Sequence, residues 1–241
     1  MSYLRKNNRK YDEIRKVTVL PQFCPAALGS VLYSCGNTKV ICAVSQATQI
    51  PQHAIDKGIG WITAEYTLLP YATNPRTERR NLRPDGRSVE IQRLIGRSLR
   101  TVLNLEAMQG VSLVVDCDVI QADGGTRTAA ISGAYIALQL AIKTLLKQNI
   151  IAENPVKAQV AAISIGYIEN NLLLDLDYEE DSRCDVDMNV VMDSNNNVIE
   201  IQGTGEKRSF STNELESMLL LAQDGIQKIF KIQNDMLKLS L

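Results

Sequence analysis

The first half of the chain alternates apolar and polar residues over short stretches, a pattern typical of half-buried β-strands. The alternation predicts strands over 17–20, 26–34, 39–48 and 61–69. Cys35-Gly-Asn-Thr38 has the composition of a hairpin turn between two of them. We therefore expect a β-rich opening region whose neighbouring strands are antiparallel.

Longer apolar patterns with a period near 3.6 residues predict helices over 88–105, from about 126 to 147, and after Ser211, where Ser211 and Glu214 fit a capping box. The second half adds predicted strands over 157–167, 172–178, 185–192 and 198–202. Strands followed by helices favour an α+β fold with helices packed on sheet faces. A polar break before residue 155 divides the chain into halves, 1–150 and 151–241, which we expect to form one compact unit.

The most informative stretch joins a buried strand over 111–120 to the helix that starts near residue 126. The turn between them contains Gly124 and Gly125, which allow a ligand to approach the backbone closely. Free N–H groups at the start of a helix favour an anion, and Thr126 and Arg127 add side-chain donors. The pattern is compatible with a phosphate site, or with an ordinary strand-to-helix connection capped by Asp123.

Basic residues concentrate in two regions. The segment 70–87 is a long, arginine-rich loop broken by prolines, and its charge suits the phosphate backbone of a nucleic acid. The segment 4–16 is also basic, and we expect most of it to be a solvated arm, with contact to RNA or to a neighbouring subunit as the alternative. The basic residues of these two segments are Arg76, Arg79, Arg80, Arg83 and Arg87 in the loop, and Arg5, Lys6, Arg9, Lys10, Arg15 and Lys16 in the arm.

Acidic residues crowd into the segment 175–193. Asp185 and Asp187 alternate along a predicted strand, so we expect both to point to one face. Carboxylates beside a phosphate site suit Mg²⁺, which binds a few protein oxygens together with substrate phosphates. Most of the remaining acids fit a solvated surface equally well.

Composition narrows the chemistry. The formal net charge of −1 does not identify a nucleic-acid-binding protein, so the local distribution of charge matters more. The five cysteines lack C-x-x-C spacing, which argues against a zinc site or a disulfide framework. The single histidine, His53, lies in a polar loop, so a mechanism that needs an imidazole base is implausible. No apolar N-terminal run and no segment of membrane-spanning length is evident, and we expect a cytoplasmic protein without a membrane.

Four motifs in register resemble the ribonuclease PH family of phosphorolytic exoribonucleases, which trim tRNA 3′ ends. They are Gly60-Trp-Ile-Thr-Ala-Glu-Tyr66, Gly86-Arg-Ser-Val-Glu-Ile-Gln-Arg-Leu-Ile-Gly-Arg97, Asp116-Cys-Asp-Val-Ile-Gln-Ala-Asp-Gly-Gly-Thr-Arg-Thr-Ala-Ala-Ile131 and Glu179-Glu-Asp-Ser-Arg-Cys-Asp-Val-Asp-Met-Asn189. The resemblance covers about residues 29–205. It implies the two-layer sheet-and-helix fold of that family, like domain 2 of ribosomal protein S5.

The resemblance also implies roles for individual residues. The acidic pair of the family, six residues apart, matches Asp181 and Asp187 as catalytic and metal-binding residues, with no transferred role for Asp185. Tyr71 stands where the family usually has a third RNA-binding arginine, and 5–9 departs from the family's Asp-Gly-Arg signature, so the arm receives no role. The remaining matches are Arg87, Gly125, Thr126 and Arg127 for phosphate, and Arg76 and Arg79 for the acceptor end of tRNA.

The implied cofactor is a divalent metal such as Mg²⁺, and the implied co-substrate is inorganic phosphate. The implied partners are tRNA precursors, other structured RNA 3′ ends and further copies of the chain in a homo-hexamer built as a trimer of dimers. The expected reaction releases nucleoside diphosphates and is reversible. The alternatives are a catalytic exosome ring subunit with broader RNA substrates and a non-catalytic RNA-binding ring subunit. The second is disfavoured because the phosphate and metal residues are all present.

Overall fold

The computed structural model describes residues 3–5, 8–78 and 85–239 and contains two β-sheets. The first sheet has the strand order β1-β2-β3-β5-β4. Its strands are β1 (Val17–Pro21), β2 (Gly29–Cys35), β3 (Thr38–Gln46), β4 (Trp61–Leu68) and β5 (Ser112–Gln121). The predicted strands lie within a few residues of these, and the predicted α+β class is confirmed.

The pairing of β4 with β5 differs from the expected antiparallel pattern. These two strands run parallel, with Trp61 opposite Ser112 and Leu68 opposite Val119. Parallel neighbours need a crossover connection, which contains helix α2 (Gly86–Thr101) packed beside β4. A second, short helix, α1 (Gln52–Lys57), precedes β4. The predicted helix over 88–105 was too long at its end, because Leu103 leaves the helix to form a bridge with Val156.

The second sheet is antiparallel, with the order β7-β6-β8-β9. The strand predicted over 172–178 ends earlier than expected. Asp175 adopts a left-handed conformation with a φ of 55°, which cannot continue a strand. A single helical turn, α4 (Tyr178–Asp181), follows. The strands of this sheet are β6 (Val160–Ile168), β7 (Asn171–Leu174), β8 (Val186–Asp193) and β9 (Val198–Gly205).

Helix α3 (Thr126–Lys147) packs against both sheets and forms the centre of the protein. A Cβ atom added to Gly133 would lie 2.8 Å from Cβ of Tyr33, so this glycine allows α3 to lie directly on β2. Contrary to the expectation that no segment is long and apolar enough to span a membrane, α3 meets that test by length and composition. However, 72% of its most apolar window is buried inside the protein, which is typical of a core helix.

Helix α5 (Thr212–Leu239) packs on the second sheet and contributes Met218, Ala222 and Ile226 to a core shared with β6 and β8. The predicted capping box is confirmed. The backbone N–H of Ser211 donates to Glu214 Oε2 at 2.8 Å, and that of Glu214 donates to Ser211 Oγ at 3.2 Å. The division of the chain at residue 150 stays a prediction.

Candidate active site

The turn between β5 and α3 holds two glycines in the left-handed region, with φ of 73° at Gly124 and 61° at Gly125. Helix α3 begins at Thr126, and its N-cap residue, Gly125, has no side chain to cap the first N–H groups. The alternative in which Asp123 caps the helix is wrong. Its carboxylate instead accepts a hydrogen bond from the backbone N–H of Tyr178 at 3.3 Å. The start of α3 therefore suits an anion, since the positive end of the helix dipole lies there and Gly125 contributes no capping side chain.

Gly124 also brings the two halves of the protein together. A Cβ atom at this position would lie 2.6 Å from the carbonyl oxygen of Leu176 and 2.6 Å from the carbonyl carbon of Asp177. A real Cβ does not approach backbone atoms so closely, so only glycine allows this contact. The glycine turn consequently lies directly against the segment that leads into α4 and Asp181.

The side chains at the start of α3 are held by residues from other elements. The Tyr66 hydroxyl at the end of β4 donates to Thr126 Oγ1 at 2.8 Å. Nη1 of Arg127 donates to Oε1 of Gln202 on β9 at 2.5 Å and lies 3.8 Å from Oε1 of Glu90. Sequence reasoning assigned no role to Tyr66 or Gln202. Tyr66 closes one of the four family motifs, whereas no local signal marked Gln202.

Arg87 lies in the first turn of α2, where Asp85 caps the helix by accepting from the N–H of Ser88 at 2.7 Å. Arg87 is exposed. Burial raises the pKa of the Tyr66 hydroxyl, whereas the charges of Arg87 and Arg127 act to lower it. Arg87 on α2 and Arg127 on α3 therefore both lie near the Tyr66 hydroxyl.

The acidic pair lies beside these cations. Asp181 ends α4, and Asp187 lies on β8. Although Asp181 is exposed as a residue, the protein around its carboxyl withdraws it from part of the solvent and raises its pKa, against the opposing charges of Arg87 and Arg127. Burial raises the pKa of Asp187 as well, and the neighbouring charge of Asp181 adds to the effect. The fold therefore places Asp181 near both arginines, and Asp187 near Asp181 and Arg127.

Asp187 has an unsatisfied oxygen. Its Oδ1 is buried and has no hydrogen-bond partner among the residues that the structure describes. A buried, unpartnered carboxylate oxygen beside a second carboxylate fits a hard divalent cation, which would supply the missing partner. Within the described ranges no group of three or more potential ligands is gathered for a metal ion, so a cation at this place would have two carboxylates as its protein ligands. A pair suits Mg²⁺, which keeps waters and binds substrate phosphates.

Asp185 takes part in a different set of contacts. Its Oδ1 lies 3.6 Å from Nζ of Lys207, and its Oδ2 accepts from the backbone N–H of Glu169 at 3.2 Å. These partners close the hairpin between β6 and β7 and the end of β9. Asp185 therefore has a structural explanation, which Asp187 lacks.

The basic loop is described only in part. Arg76 is exposed and follows a cis peptide bond between Asn74 and Pro75. Tyr71 is 63% exposed, so its ring is accessible. The positions of Arg79, Arg80 and Arg83 lie outside the described residues, and their predicted roles stay predictions.

The N-terminal basic segment is not the solvated arm that the sequence suggested. Arg5 is 2% exposed and Arg15 is 8% exposed. Arg5 pairs with Glu180 at 2.7 Å, Arg9 pairs with the same carboxylate at 2.8 Å, and Arg15 pairs with Asp175 at 2.7 Å. These arginines balance buried acids next to α4, which explains why a basic segment packs against the second sheet.

Comparison with known proteins agrees with this geometry. Residues 13–143 match the sequence profile of the 3′ exoribonuclease family (RNase PH), domain 1, and residues 158–225 match the profile of its domain 2. The chain is 50% identical to Ribonuclease PH of Syntrophomonas wolfei over 235 residues, covering 97% of this chain and 98% of that protein. It is 47% identical to Ribonuclease PH of Neisseria meningitidis serogroup C over 232 residues, covering 95% and 96%.

Solved structures show the same fold. The Archaeoglobus fulgidus exosome with RNA bound to the active site superposes with a TM-score of 0.79 at 25% identity, covering 96% of this chain and 92% of that chain. Rice (Oryza sativa) Rrp46 superposes with a TM-score of 0.77 at 19% identity, covering 97% and 100%. The chain belongs to the 3′ exoribonuclease family. The family, the fold type and the enzyme class predicted from the motifs are confirmed.

Proposed function

We propose that this protein removes nucleotides from the 3′ ends of tRNA precursors by phosphorolysis. The observation that carries the proposal is the convergence of Arg87, Arg127 and Asp181. The charges of both guanidinium groups act to lower the pKa of the Asp181 carboxyl, so both lie near it. Arg127 belongs to the first turn of α3, whose N-cap is Gly125. Anion donors beside carboxylates suit a reaction in which one phosphate attacks another.

Inorganic phosphate is the proposed nucleophile. The backbone at Gly125, the hydroxyl of Thr126 and the guanidinium groups of Arg127 and Arg87 would hold it. Phosphate carries ionised oxygens at neutral pH, so it needs little activation by a base. The single histidine, His53, packs against Trp61, and the reaction does not require it as a base.

The reaction balances without any further reactant. An oxygen of hydrogen phosphate forms a bond to the phosphorus of the 3′-terminal nucleotide, and the bond from that phosphorus to the 3′ oxygen of the preceding nucleotide breaks. The proton passes to the leaving 3′ oxygen. The products are a nucleoside 5′-diphosphate and an RNA shortened by one nucleotide. The reverse reaction adds a nucleotide and releases phosphate.

Asp181 and Asp187 are the proposed ligands of a divalent cation such as Mg²⁺. When bound, such an ion would neutralise part of the negative charge on the reacting phosphodiester. The residues of the chain itself contribute position and charge. Arg87 and Arg127 orient the attacking phosphate, and the two carboxylates lie near Arg127. A non-catalytic RNA-binding subunit would not need this complete set.

Arg76 and Arg79 are the proposed contacts to the acceptor end of tRNA. Arg76 is exposed in the loop that precedes α2, so its guanidinium group is accessible to a phosphate backbone. The exposed ring of Tyr71 can stack on an unpaired base, which would compensate for the arginine that the family usually has there.

A homo-hexamer is part of the proposal. Val198 and Ile201 are 45% and 41% exposed on β9, which is an edge strand of the second sheet. Exposed apolar side chains on an edge strand suit burial against another subunit. Light scattering coupled to gel filtration measures the assembled mass directly, and a monomer at working concentrations would contradict this part of the proposal.

The central experiment uses a tRNA carrying extra 3′ nucleotides, incubated with and without inorganic phosphate in the presence of Mg²⁺. We expect release that depends on phosphate and yields nucleoside diphosphates. The Arg127→Gln variant, prepared in parallel, should lose this release, which excludes a contaminating nuclease. Release of monophosphates at equal rates without phosphate would contradict the proposal.

A further inference from the structure

Arg15 joins the two halves of the candidate site through one buried side chain. Its backbone N–H and its Nε both donate to Oδ2 of Asp175, at 2.6 and 3.1 Å, and its Nη2 donates to Oδ1 at 2.7 Å. The remaining nitrogen, Nη1, donates to the carbonyl oxygen of Asp123 at 2.5 Å and lies 3.5 Å from that of Gly124. A single guanidinium thus binds a carboxylate of the second half and the glycine turn of the first.

Asp175 lies in the segment that leads to Asp181, and several contacts hold its conformation. It is 3% exposed and non-glycine with a φ of 55°, a conformation that the surrounding contacts must hold. Its backbone N–H donates to the carbonyl oxygen of Ser164 at 2.7 Å, and its own carbonyl accepts from Nη1 of Arg9 at 2.6 Å. Two residues later, Asp177 caps α4, which ends at Asp181.

The charges of this pair persist despite their burial. Burial disfavours the ionised form of Asp175, but the charge and hydrogen bonds of Arg15 outweigh it, and the pKa of Asp175 lies below its ordinary value. Burial likewise disfavours the charge of Arg15, and the Asp175 carboxylate raises the pKa of the guanidinium above its ordinary value. The link is therefore ionic at every pH at which the protein is expected to work.

The carbonyl contacts determine where the N–H groups of the turn point. In a planar trans peptide the C=O and N–H groups point in opposite directions. Binding the carbonyls of Asp123 and Gly124 towards Arg15 turns the N–H groups of Gly124 and Gly125 away from it. Thr38 acts in the same sense, because its hydroxyl donates to the carbonyl oxygen of Gly124 at 2.7 Å.

We propose that Arg15 is a positioning residue for phosphate: it holds the N–H groups of the glycine turn in their binding orientation and fixes that turn relative to the segment bearing Asp181. The inference rests on the proposed phosphate site. Arg15 does not touch phosphate itself. It acts through the turn and through Asp175.

Arg5 provides a matched control, since it is an equally buried arginine from the same basic segment. Its Nε and Nη2 pair with Glu180 at 2.7 and 2.8 Å, and its Nη1 donates to the carbonyl of Lys10. Its Nη2 also reaches the carbonyls of Leu174 and Asp175, at 2.9 and 3.1 Å, but none of its donors reaches the glycine turn among the described contacts. Arg5 thus shares the ion pairing of Arg15, and its partners belong to the second half and the arm.

The experiment compares Arg15→Lys with Arg5→Lys in the full-length protein. Lysine keeps the positive charge but cannot reach the carboxylate and the turn at once. Thermal unfolding is followed during a titration with inorganic phosphate, and phosphorolysis rates are measured over the same phosphate range.

We expect both variants to unfold at lower temperature than the parent. The phosphate midpoint is the phosphate concentration that gives half of the thermal stabilisation. In Arg15→Lys the phosphate midpoint and the phosphate KM should both rise about tenfold, as for the loss of one charge-assisted hydrogen bond, with kcat changing less. In Arg5→Lys both should stay within about twofold.

The two readouts separate this inference from the proposed function. If phosphate stabilises the parent protein but no diphosphates are released, phosphorolysis is contradicted. The phosphate midpoints from thermal unfolding would still decide the role of Arg15. An unchanged phosphate midpoint in Arg15→Lys, an equal rise in Arg5→Lys, or a parent that phosphate does not stabilise would overturn the role. If Arg15→Lys does not fold, Thr38→Val decides: a raised phosphate midpoint supports positioning through the carbonyls, and an unchanged one overturns it.

Discussion

Arg127 and Gln202 meet across the two halves of the protein, with Nη1 of Arg127 donating to Oε1 of Gln202 at 2.5 Å. The amide of Gln202 is itself fixed, because its Nε2 donates to Glu90 at 2.9 Å and to Glu200 at 3.3 Å. A strand of the second sheet therefore orients an arginine at the start of α3. The proposed phosphate site therefore includes an arginine whose orientation depends on the second sheet.

This contact predicts opposite roles for an amide and a carboxylate at position 202. Gln202→Glu should raise the phosphate KM by about tenfold or more, because a carboxylate would pair with Arg127 and compete with phosphate. Gln202→Leu, which removes the contact without adding charge, should raise it less. Steady-state phosphorolysis at varied phosphate measures both. Parent-like phosphate affinity in Gln202→Glu would show that Arg127 does not bind phosphate.

The basic loop should affect RNA binding and leave phosphate binding unchanged. Changing Arg76 and Arg79 to alanine together should weaken tRNA binding and flatten its dependence on salt. For single-stranded contacts, each lost phosphate interaction lowers the log–log slope by about 0.7. Binding measured by filter retention at several salt concentrations gives the slope. If the double variant keeps the parent slope, the loop is a solvated one.

The acidic pair should be required for turnover and not for RNA binding. Asp187→Asn keeps the shape of the side chain but removes the charge that a hard cation requires. We expect turnover to collapse while tRNA affinity is kept, because the basic loop is untouched. Asp185→Asn is the control, since Asp185 is occupied by Lys207 and Glu169. Initial rates during a Mg²⁺ titration test both variants, and the assignment is wrong if Asp185→Asn is the inactive one.

The same substitution, Asp187→Asn, should stabilise the metal-free protein although it abolishes turnover. The folded-state pKa of Asp187 is raised, so its carboxylate destabilises the metal-free protein at pH values above that pKa. Asp187→Asn should therefore raise the unfolding temperature of metal-free protein at neutral pH. The gain should shrink as the pH falls through the raised pKa and vanish below the unfolded-state value of about 3.9. Thermal unfolding from about pH 3.5 to 7.5 measures this, and a gain that grows towards low pH would contradict the shift.

Two glycines separate backbone strain from close approach. Gly110 has a φ of 80° and open space where a Cβ atom would lie, whereas Gly124 has a φ of 73° with backbone atoms 2.6 Å from that position. Alanine at either site incurs the left-handed penalty of about 1–2 kcal/mol. Gly124→Ala should be more destabilising than Gly110→Ala and should also weaken phosphate binding. Denaturant unfolding of the two variants gives the difference, and equal losses would argue against the close approach.

Local patterns in the sequence determined much of the fold. Helix α3 was predicted from about residue 126 to 147, and the structure places it at Thr126–Lys147. The start of α5 followed from a capping box formed by neighbours three residues apart. Such features depend on residues close together in the chain, so the spacing of apolar and capping residues specifies them. The family motifs also pointed to the candidate phosphate and metal residues, because each of these lies inside one contiguous motif.

The tertiary structure decided what joins distant segments. It made β4 parallel to β5, ended β7 at a left-handed Asp175, and buried arginines that the sequence suggested were solvated. Arg15 and Asp175 are separated by 160 positions, and Arg127 and Gln202 by 75. No local spacing specifies such pairs. They form because burying the core leaves each of these charged or polar groups with one position at which it can be satisfied.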